Sequence, residues 1–352
     1  MKPWEDKIRK VIPYTPGEQP NESDMVKLNT NENPYPPAPS VRELAKAMNT
    51  EDLRLYPDPT CHSLVSGLAA YYGLKEEQVF VGVGSDDVLA MCFLTFFNSQ
   101  KPLLFPDITY SFYDVWADML RIPYECQPLD ENFHIKKEDY FRENGGIIFP
   151  NPNAPTGAEL DQDAIEEIVA KNPSSIVIVD EAYVDFGGVS ALPLIEKYDN
   201  VLVVQTFSKS RSMAGMRIGY AMGNAELIKY LNDVKYSFNS YTMNYPTLVL
   251  GVASLQDEAY FQETKNKIME TRAWAAKELR ELGFTFEDSK SNFLFVSHKS
   301  VPAEKIFMEL RKHHIYVRYF KKPRIDNYLR ISIGTPKEMQ KLITTLKEGD
   351  IL

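Results

Sequence analysis

Between about residues 62 and 222 the chain alternates short, nearly unbroken apolar runs with stretches of helical periodicity. The runs are 79–83, 103–105, 147–149, 176–179, 201–205 and 218–222. A strand covered on both faces needs apolar side chains at every position, so these runs predict a mostly parallel sheet sandwiched by helices. A long helical pattern over 257–282 then stops at Gly283, a residue suited to a helix C-cap. Three further strands are predicted at 293–296, 315–317 and 328–333. They alternate with helices near 302–313 and 336–347, each opening with proline in its first turn. This second set reads as a smaller α+β unit. The first forty residues are rich in proline and asparagine and weak in periodicity, as in an extended arm that lies on something else. The expected organisation is an arm at 1–40 that contributes to the small domain, a large domain at 41–257 and a small domain at 258–352.

The net charge of −10 disfavours a general electrostatic hold on nucleic acid or an anionic membrane. No apolar run reaches the length of a membrane span, and residues 1–14 lack the continuous apolar core of a secretory signal. Cys61, Cys92 and Cys126 stand far apart without CxxC spacing, and the five histidines form no HExxH pattern. Neither a disulfide framework nor a metal site is therefore expected, and a reducing cytoplasm fits best.

The most informative stretch runs from Thr206 to Tyr220. It offers Lys209, the flanking hydroxyl of Ser208 and the guanidinium of Arg217 among small residues. A lysine amine forms a Schiff base with a carbonyl, while a hydroxyl and a guanidinium hold a phosphate. A second phosphate-binding feature is the run 79–83 ending in Gly84, Ser85 and Asp86 before a helical pattern, which presents backbone N–H groups at a helix start. Asp180 closes a buried strand three residues before Tyr183, where the carboxyl ends of strands line the ligand crevice of an open α/β sheet. A buried carboxylate there could pair with a protonated heteroaromatic nitrogen, or merely cap a helix. The proline-rich loop from Asn151 to Gly157 follows another predicted strand and cannot form regular structure.

In this order, the loop, Asp180 with Tyr183, Ser208 with Lys209, and Arg217 resemble the fold-type-I pyridoxal-phosphate aminotransferases. The stretches Lys27–Tyr35, Leu55–Pro59, Tyr14–Gly17 and Tyr328–Thr335 look like signatures of the histidinol-phosphate aminotransferases. The resemblance implies an α/β fold of the pyridoxal-phosphate transferase type I. It implies a homodimer with shared active sites that moves an amino group between histidinol phosphate and 2-oxoglutarate, yielding glutamate. Related activities on the same scaffold are aromatic amino-acid transamination and threonine-phosphate decarboxylation.

Residue by residue, the resemblance makes Lys209 the covalent anchor of pyridoxal 5'-phosphate and its acid–base, Asp180 the partner of the ring nitrogen, and Tyr183 a partner of the ring hydroxyl oxygen. Ser208, Arg217 and the backbone of Gly84, Ser85 and Asp86 would hold the cofactor phosphate, with Tyr110 stacked on the ring and Tyr56 reaching the phosphate of the neighbouring subunit. Arg330 would grip the anionic end of the substrate, with Tyr14, Asn33 and Arg318 completing the substrate site. One departure stands out. Relatives carry asparagine where this chain has Ala154, and Asn153 is expected to take over its contact with the ring hydroxyl oxygen.

Overall fold

The computed structural model describes every residue except Met1, Ser23 and Asp350. After the N-terminal arm come β1 (Val26–Leu28), α1 (Pro39–Ala47) and α2 (His62–Tyr72). The central region runs through β2 (Val79–Val83), α3 (Ser85–Phe96), β3 (Leu103–Pro106), α4 (Tyr113–Leu120), β4 (Tyr124–Gln127), β5 (Gly146–Pro150), α5 (Gln162–Lys171), β6 (Val177–Asp180), β7 (Val201–Thr206) and β8 (Ile218–Gly223). Helices α6 (Ala225–Phe238), α7 (Tyr245–Gln256) and α8 (Glu258–Glu281) follow. The chain closes with β9 (Phe284–Thr285), β10 (Phe293–His298), α9 (Ala303–Lys312), β11 (Ile315–Tyr319), β12 (Leu329–Ser332) and α10 (Pro336–Glu348).

The larger sheet has the order β2-β8-β7-β6-β5-β3-β4. It is parallel except for β8, which runs antiparallel to both β2 and β7. Its central strands show why their sequences are apolar throughout. Val177, Ile178 and Val179 are all fully buried, and they alternate between two cores. Val177 and Val179 pack with Leu64 and Leu68 of α2, Ile165 of α5 and Leu248 of α7. Ile178 faces the other way, onto Val88 and Phe93 of α3, Trp116 of α4 and Leu231 of α6. Each face of the sheet thus buries its own layer of helices.

The smaller sheet has the order β1-β11-β12-β10-β9 and packs on α8, α9 and α10 through Ile268, Leu279, Ile306, Leu310, Leu342 and Ile343. Strand β1 arrives from the N-terminal segment and pairs parallel to β11, with Val26 beside Ile315. Helix α10 starts with a capping box in which Thr335 and Glu338 satisfy each other's backbone N–H groups. Three strands escaped the apolar-run criterion. Strand β4 lies at a sheet edge with Glu125 and Cys126 exposed, β1 spans three residues with a partly exposed lysine in the middle, and β9 is two residues at the other sheet's edge with Thr285 exposed.

Strand β8 also crowds the turn that leaves β2. A Cβ added at Gly219 would lie 2.2 Å from the carbonyl carbon of Gly84, so only glycine permits this approach. Gly219→Ala is expected to lower unfolding stability by roughly 1–3 kcal/mol, as overpacking against a backbone does. Urea unfolding of the variant beside the parent protein measures it.

Candidate active site

The carboxyl ends of β5, β6 and β7 open on one side of the large sheet, and the residues that leave them meet at Lys209. Lys209 lies three residues past β7, half-buried, with its Nζ 3.5 Å from the Thr30 carbonyl oxygen and 5.7 Å from the centre of the Tyr183 ring. It lines two adjoining cavities of about 160 and 180 Å3 that share Thr30, Tyr110, Ala154 and Tyr183.

One cavity is bounded by Asp180, Ser85, Asp86, Ser208 and Arg217. Asp180 is 4% exposed. Its Oδ2 accepts a hydrogen bond from the Tyr113 hydroxyl at 2.8 Å, and its Oδ1 accepts the Ala182 N–H at 3.3 Å. Burial nevertheless pushes its carboxyl up to about 6, with the charge of Asp86 adding to the rise; the two hydrogen bonds and the charge of Lys209 pull it down without offsetting desolvation. Among the described residues Asp180 forms no ion pair.

Gly84 stands between β2 and α3 with φ +85°, and a Cβ there would lie 2.4 Å from Nη2 of Arg217. The guanidinium therefore rests directly against the glycine backbone at the start of α3. Arg217 itself has φ +56°; its Nη1 donates to the Ala214 carbonyl at 3.2 Å and its Nη2 to Asp86 Oδ2 at 3.1 Å. The Tyr110 hydroxyl donates to the other oxygen of Asp86 at 2.6 Å. Helix start, hydroxyl and guanidinium form a cradle for an anion.

The second cavity lies toward the small sheet and is lined by Tyr14, Arg318, Phe320 and Arg330. Arg318 and Arg330 are directly opposite each other across the antiparallel β11 and β12, so both side chains leave the sheet on the same face. Arg330 donates from Nη2 to the Asn29 carbonyl at 3.0 Å, while its buried Nε has no partner. Desolvation, and then the charge of Arg318, hold the Arg330 guanidinium below its ordinary value. Neither arginine forms an ion pair among the described residues. Tyr14 stacks on Phe112 at 4.1 Å between ring centres, which fixes the arm over this cavity. By contrast, Arg324 is spent on Asp107 and the carbonyls of Leu129 and Asp130, and Lys321 on Glu304.

Two expected site residues face elsewhere. Asn153 does not line either cavity; its Nδ2 donates to the Ile108 carbonyl and to Thr156 Oγ1, both at 3.0 Å. Both amide hydrogens are thereby used inside the loop, and Ala154 presents its methyl group to the cavity instead. Asn33 is likewise absent from the substrate cavity. Its Nδ2 donates to the carbonyls of Lys209 and Ser210 at 2.9 and 3.1 Å, so it braces the lysine backbone. Tyr56 is 83% exposed and packs against Tyr241 in a tilted pair with ring centres 4.7 Å apart, away from both cavities of its own chain.

Tyr113 and Asn31 were missed. Asn31 donates from Nδ2 to the Tyr183 hydroxyl at 3.0 Å and accepts from Ser332 Oγ at 2.8 Å, linking the two sheets at the site. The recurrence of tyrosine at 110 and 113, flanking the start of α4, was the available signal for the first. The second lies within the stretch Lys27–Tyr35 that carried the resemblance, which was the signal available for it.

An amine presented at strand ends beside an anion cradle, under a doubly covered sheet, defines a group-transfer enzyme working through a Schiff base. The chain belongs to the aminotransferase class I and II family, whose profile matches residues 23–346. It is 51% identical over 345 residues to a histidinol-phosphate aminotransferase of Clostridium acetobutylicum, covering 98% of each chain. To the enzyme of the same name from Lactococcus lactis subsp. lactis it is 53% identical over 98% of this chain and 96% of that one. The fold also matches the crystal structure of a Sinorhizobium meliloti histidinol-phosphate aminotransferase in complex with pyridoxal-5'-phosphate. That match has a TM-score of 0.83 at 24% identity, over 92% of this chain and 90% of that one.

The position of Asp180 has a measurable cost. Its folded carboxyl keeps its proton to a higher pH than the unfolded one, so the penalty is complete above about pH 6 and absent below about pH 4. Without small molecules bound, Asp180→Asn is expected to be more stable than the parent by about 1–3 kcal/mol at pH 8, given a shift of this size. The gain should vanish near pH 4. Urea midpoints at both pH values test it.

Proposed function

We propose that this chain is a pyridoxal-phosphate-dependent aminotransferase that moves an amino group between histidinol phosphate and 2-oxoglutarate, in the cytoplasm, as a step of histidine biosynthesis. The observation that carries the substrate reading is the rung of two arginines without carboxylate partners, facing Lys209 across a cavity. Like charges placed opposite each other cost stability. An arriving anion relieves that cost, and guanidinium forks suit both a phosphate and a carboxylate. One site thus serves the phosphate of histidinol phosphate in one half-reaction and a carboxylate of glutamate in the other.

The opposite cavity fits pyridoxal phosphate. Asp180 is a buried carboxylate without a cation, suited to hold the proton of a ring nitrogen, and the cradle of Gly84, Ser85, Ser208 and Arg217 suits a phosphate. Bound there, the cofactor supplies an aldehyde that carries the amino group and a ring that accepts electrons. Lys209 would hold it covalently; once the substrate amine takes its place on the aldehyde carbon, the freed Lys209 amine would take the proton from the substrate carbon and return it as acid. Tyr183, oriented by Asn31, would hold the ring hydroxyl oxygen and Tyr110 would cover the ring, while Asn33 fixes the backbone from which Lys209 reaches.

The test is a single half-reaction. Protein loaded with pyridoxal phosphate and mixed with histidinol phosphate, without keto acid, should convert the cofactor to pyridoxamine phosphate, read as loss of its visible absorbance. Arg318→Met should slow this at sub-saturating substrate by roughly tenfold or more, the loss of a charged hydrogen bond. Conversion by phenylalanine but not histidinol phosphate would overturn the substrate reading.

A homodimer belongs to the same proposal. Tyr56 is exposed beside Leu53 and Leu55, an apolar patch that suits contact with a second copy and would carry the hydroxyl to that copy's phosphate cradle. Tyr56→Phe is expected to weaken cofactor binding by roughly tenfold, since it deletes a hydrogen bond to a charged group. Fluorescence titration with pyridoxal phosphate, beside sedimentation showing two chains, measures it; unchanged affinity would remove Tyr56 from the site.

A further inference from the structure

Asp86 was expected to offer only its backbone N–H, yet its side chain sits among the groups that hold the cofactor. Its Oδ1 accepts the Tyr110 hydroxyl at 2.6 Å and its Oδ2 accepts Arg217 Nη2 at 3.1 Å. One carboxylate therefore bridges the ring-covering tyrosine and the phosphate-binding guanidinium. Arg217 cannot easily turn away, because Nη1 is held by the Ala214 carbonyl and Gly84 lies under the guanidinium. A phosphate entering the cradle meets the same edge of Arg217 that Asp86 already occupies, and it meets the charge of Asp86 as well.

We propose that Asp86 is a built-in counter-ion that competes with phosphate for Arg217 and so filters free inorganic phosphate out of the cofactor site, while its other oxygen keeps Tyr110 in place. The inference rests on the reading of this cavity as the pyridoxal-phosphate site. Free phosphate has only the cradle to bind and must displace Asp86 unaided. The cofactor brings three further interactions: a covalent bond to Lys209, a proton-bearing nitrogen for Asp180 and a ring face for Tyr110. Both ligands meet the same displacement cost, but the cofactor's added interactions keep it bound despite that cost, while phosphate held by the cradle alone loses occupancy. Both partners of the pair are about two-fifths exposed, so solvent screening keeps the effect modest.

The experiment uses cofactor-free protein and inorganic phosphate as the probe. Asp86→Asn keeps an oxygen for Tyr110 but removes the charge. It should bind phosphate roughly fivefold more tightly than the parent, the scale of a partly exposed ion pair. Calorimetry gives the affinity directly, and the slowing of pyridoxal-phosphate uptake by added phosphate gives it independently. Asp86→Ser, a shorter side chain, should show the same tightening and should also alter the circular dichroism of the bound cofactor as Tyr110 loses its anchor. Phosphate affinity that is unchanged or weaker in both variants overturns the counter-ion role. A parent protein that takes up no pyridoxal phosphate would instead sink the reading of the site itself.

Discussion

A carboxylate is sealed at the end of β6 with no cation beside it among the described residues, and the architecture of the site follows from that. The Tyr113 hydroxyl and one backbone N–H soften the burial of Asp180 without cancelling it. In a low-dielectric interior such a charge is costly, and its carboxyl holds a proton to a higher pH than a solvated one does. The sheet is covered on both faces, and Asp180 lines the cavity at the strand ends. The fold therefore turns a costly buried carboxylate toward that cavity, where, on the proposed reading, a positively charged ring nitrogen would complete it.

The anion stations lie on either side of Lys209 and come from different parts of the molecule. Arg217 belongs to the large sheet, at the entrance to β8, whereas Arg318 and Arg330 belong to the small one. What joins them is the N-terminal segment. Strand β1 is part of the small sheet, and Asn31, three residues later, hydrogen-bonds both Ser332 and Tyr183; Asn33 then holds the carbonyls of Lys209 and Ser210. Asn292 ties the same segment down by donating to the Asn31 carbonyl. These amides fix the separation between cradle and arginine rung, so the segment determines what length of molecule can reach from Lys209 to Arg318.

Most of the fold was legible because its central strands are buried on both faces. Such strands announce themselves as continuous apolar runs, and the six predicted in the large sheet lie within a residue or two of the observed ones. The strands that went unread, β1, β4 and β9, are short and partly exposed. Their stability comes from pairing with β11, β3 and β10, which sequence periodicity does not encode. The antiparallel insertion of β8 was equally hidden, since a buried strand has the same composition in either direction.

The site divides along a different line. Lys209, Asp180, Tyr183, Arg217 and Arg330 all line the two cavities, and the sequence drew attention to them because each brings a chemistry that few other jobs require near the end of a strand. Amide and carboxylate side chains are less committed: the same group can face a ligand or satisfy a buried backbone carbonyl, and only the fold decides. Asn33 and Asn153 went to the backbone because Lys209, Ser210 and Ile108 offer carbonyls to a nearby amide. Asp86 went the other way. It follows a glycine that admits a guanidinium at the very start of α3, so its carboxylate is drawn to Arg217. At position 154, the methyl group of alanine leaves the cavity wall without a donor, and Asn153 cannot supply one without giving up the bonds that hold its own loop. On the proposed reading, the hydrogen bond to a ring hydroxyl would then fall to Tyr183 and, behind it, to Asn31. This makes the N-terminal segment part of the electrostatics of the site as well as its scaffold.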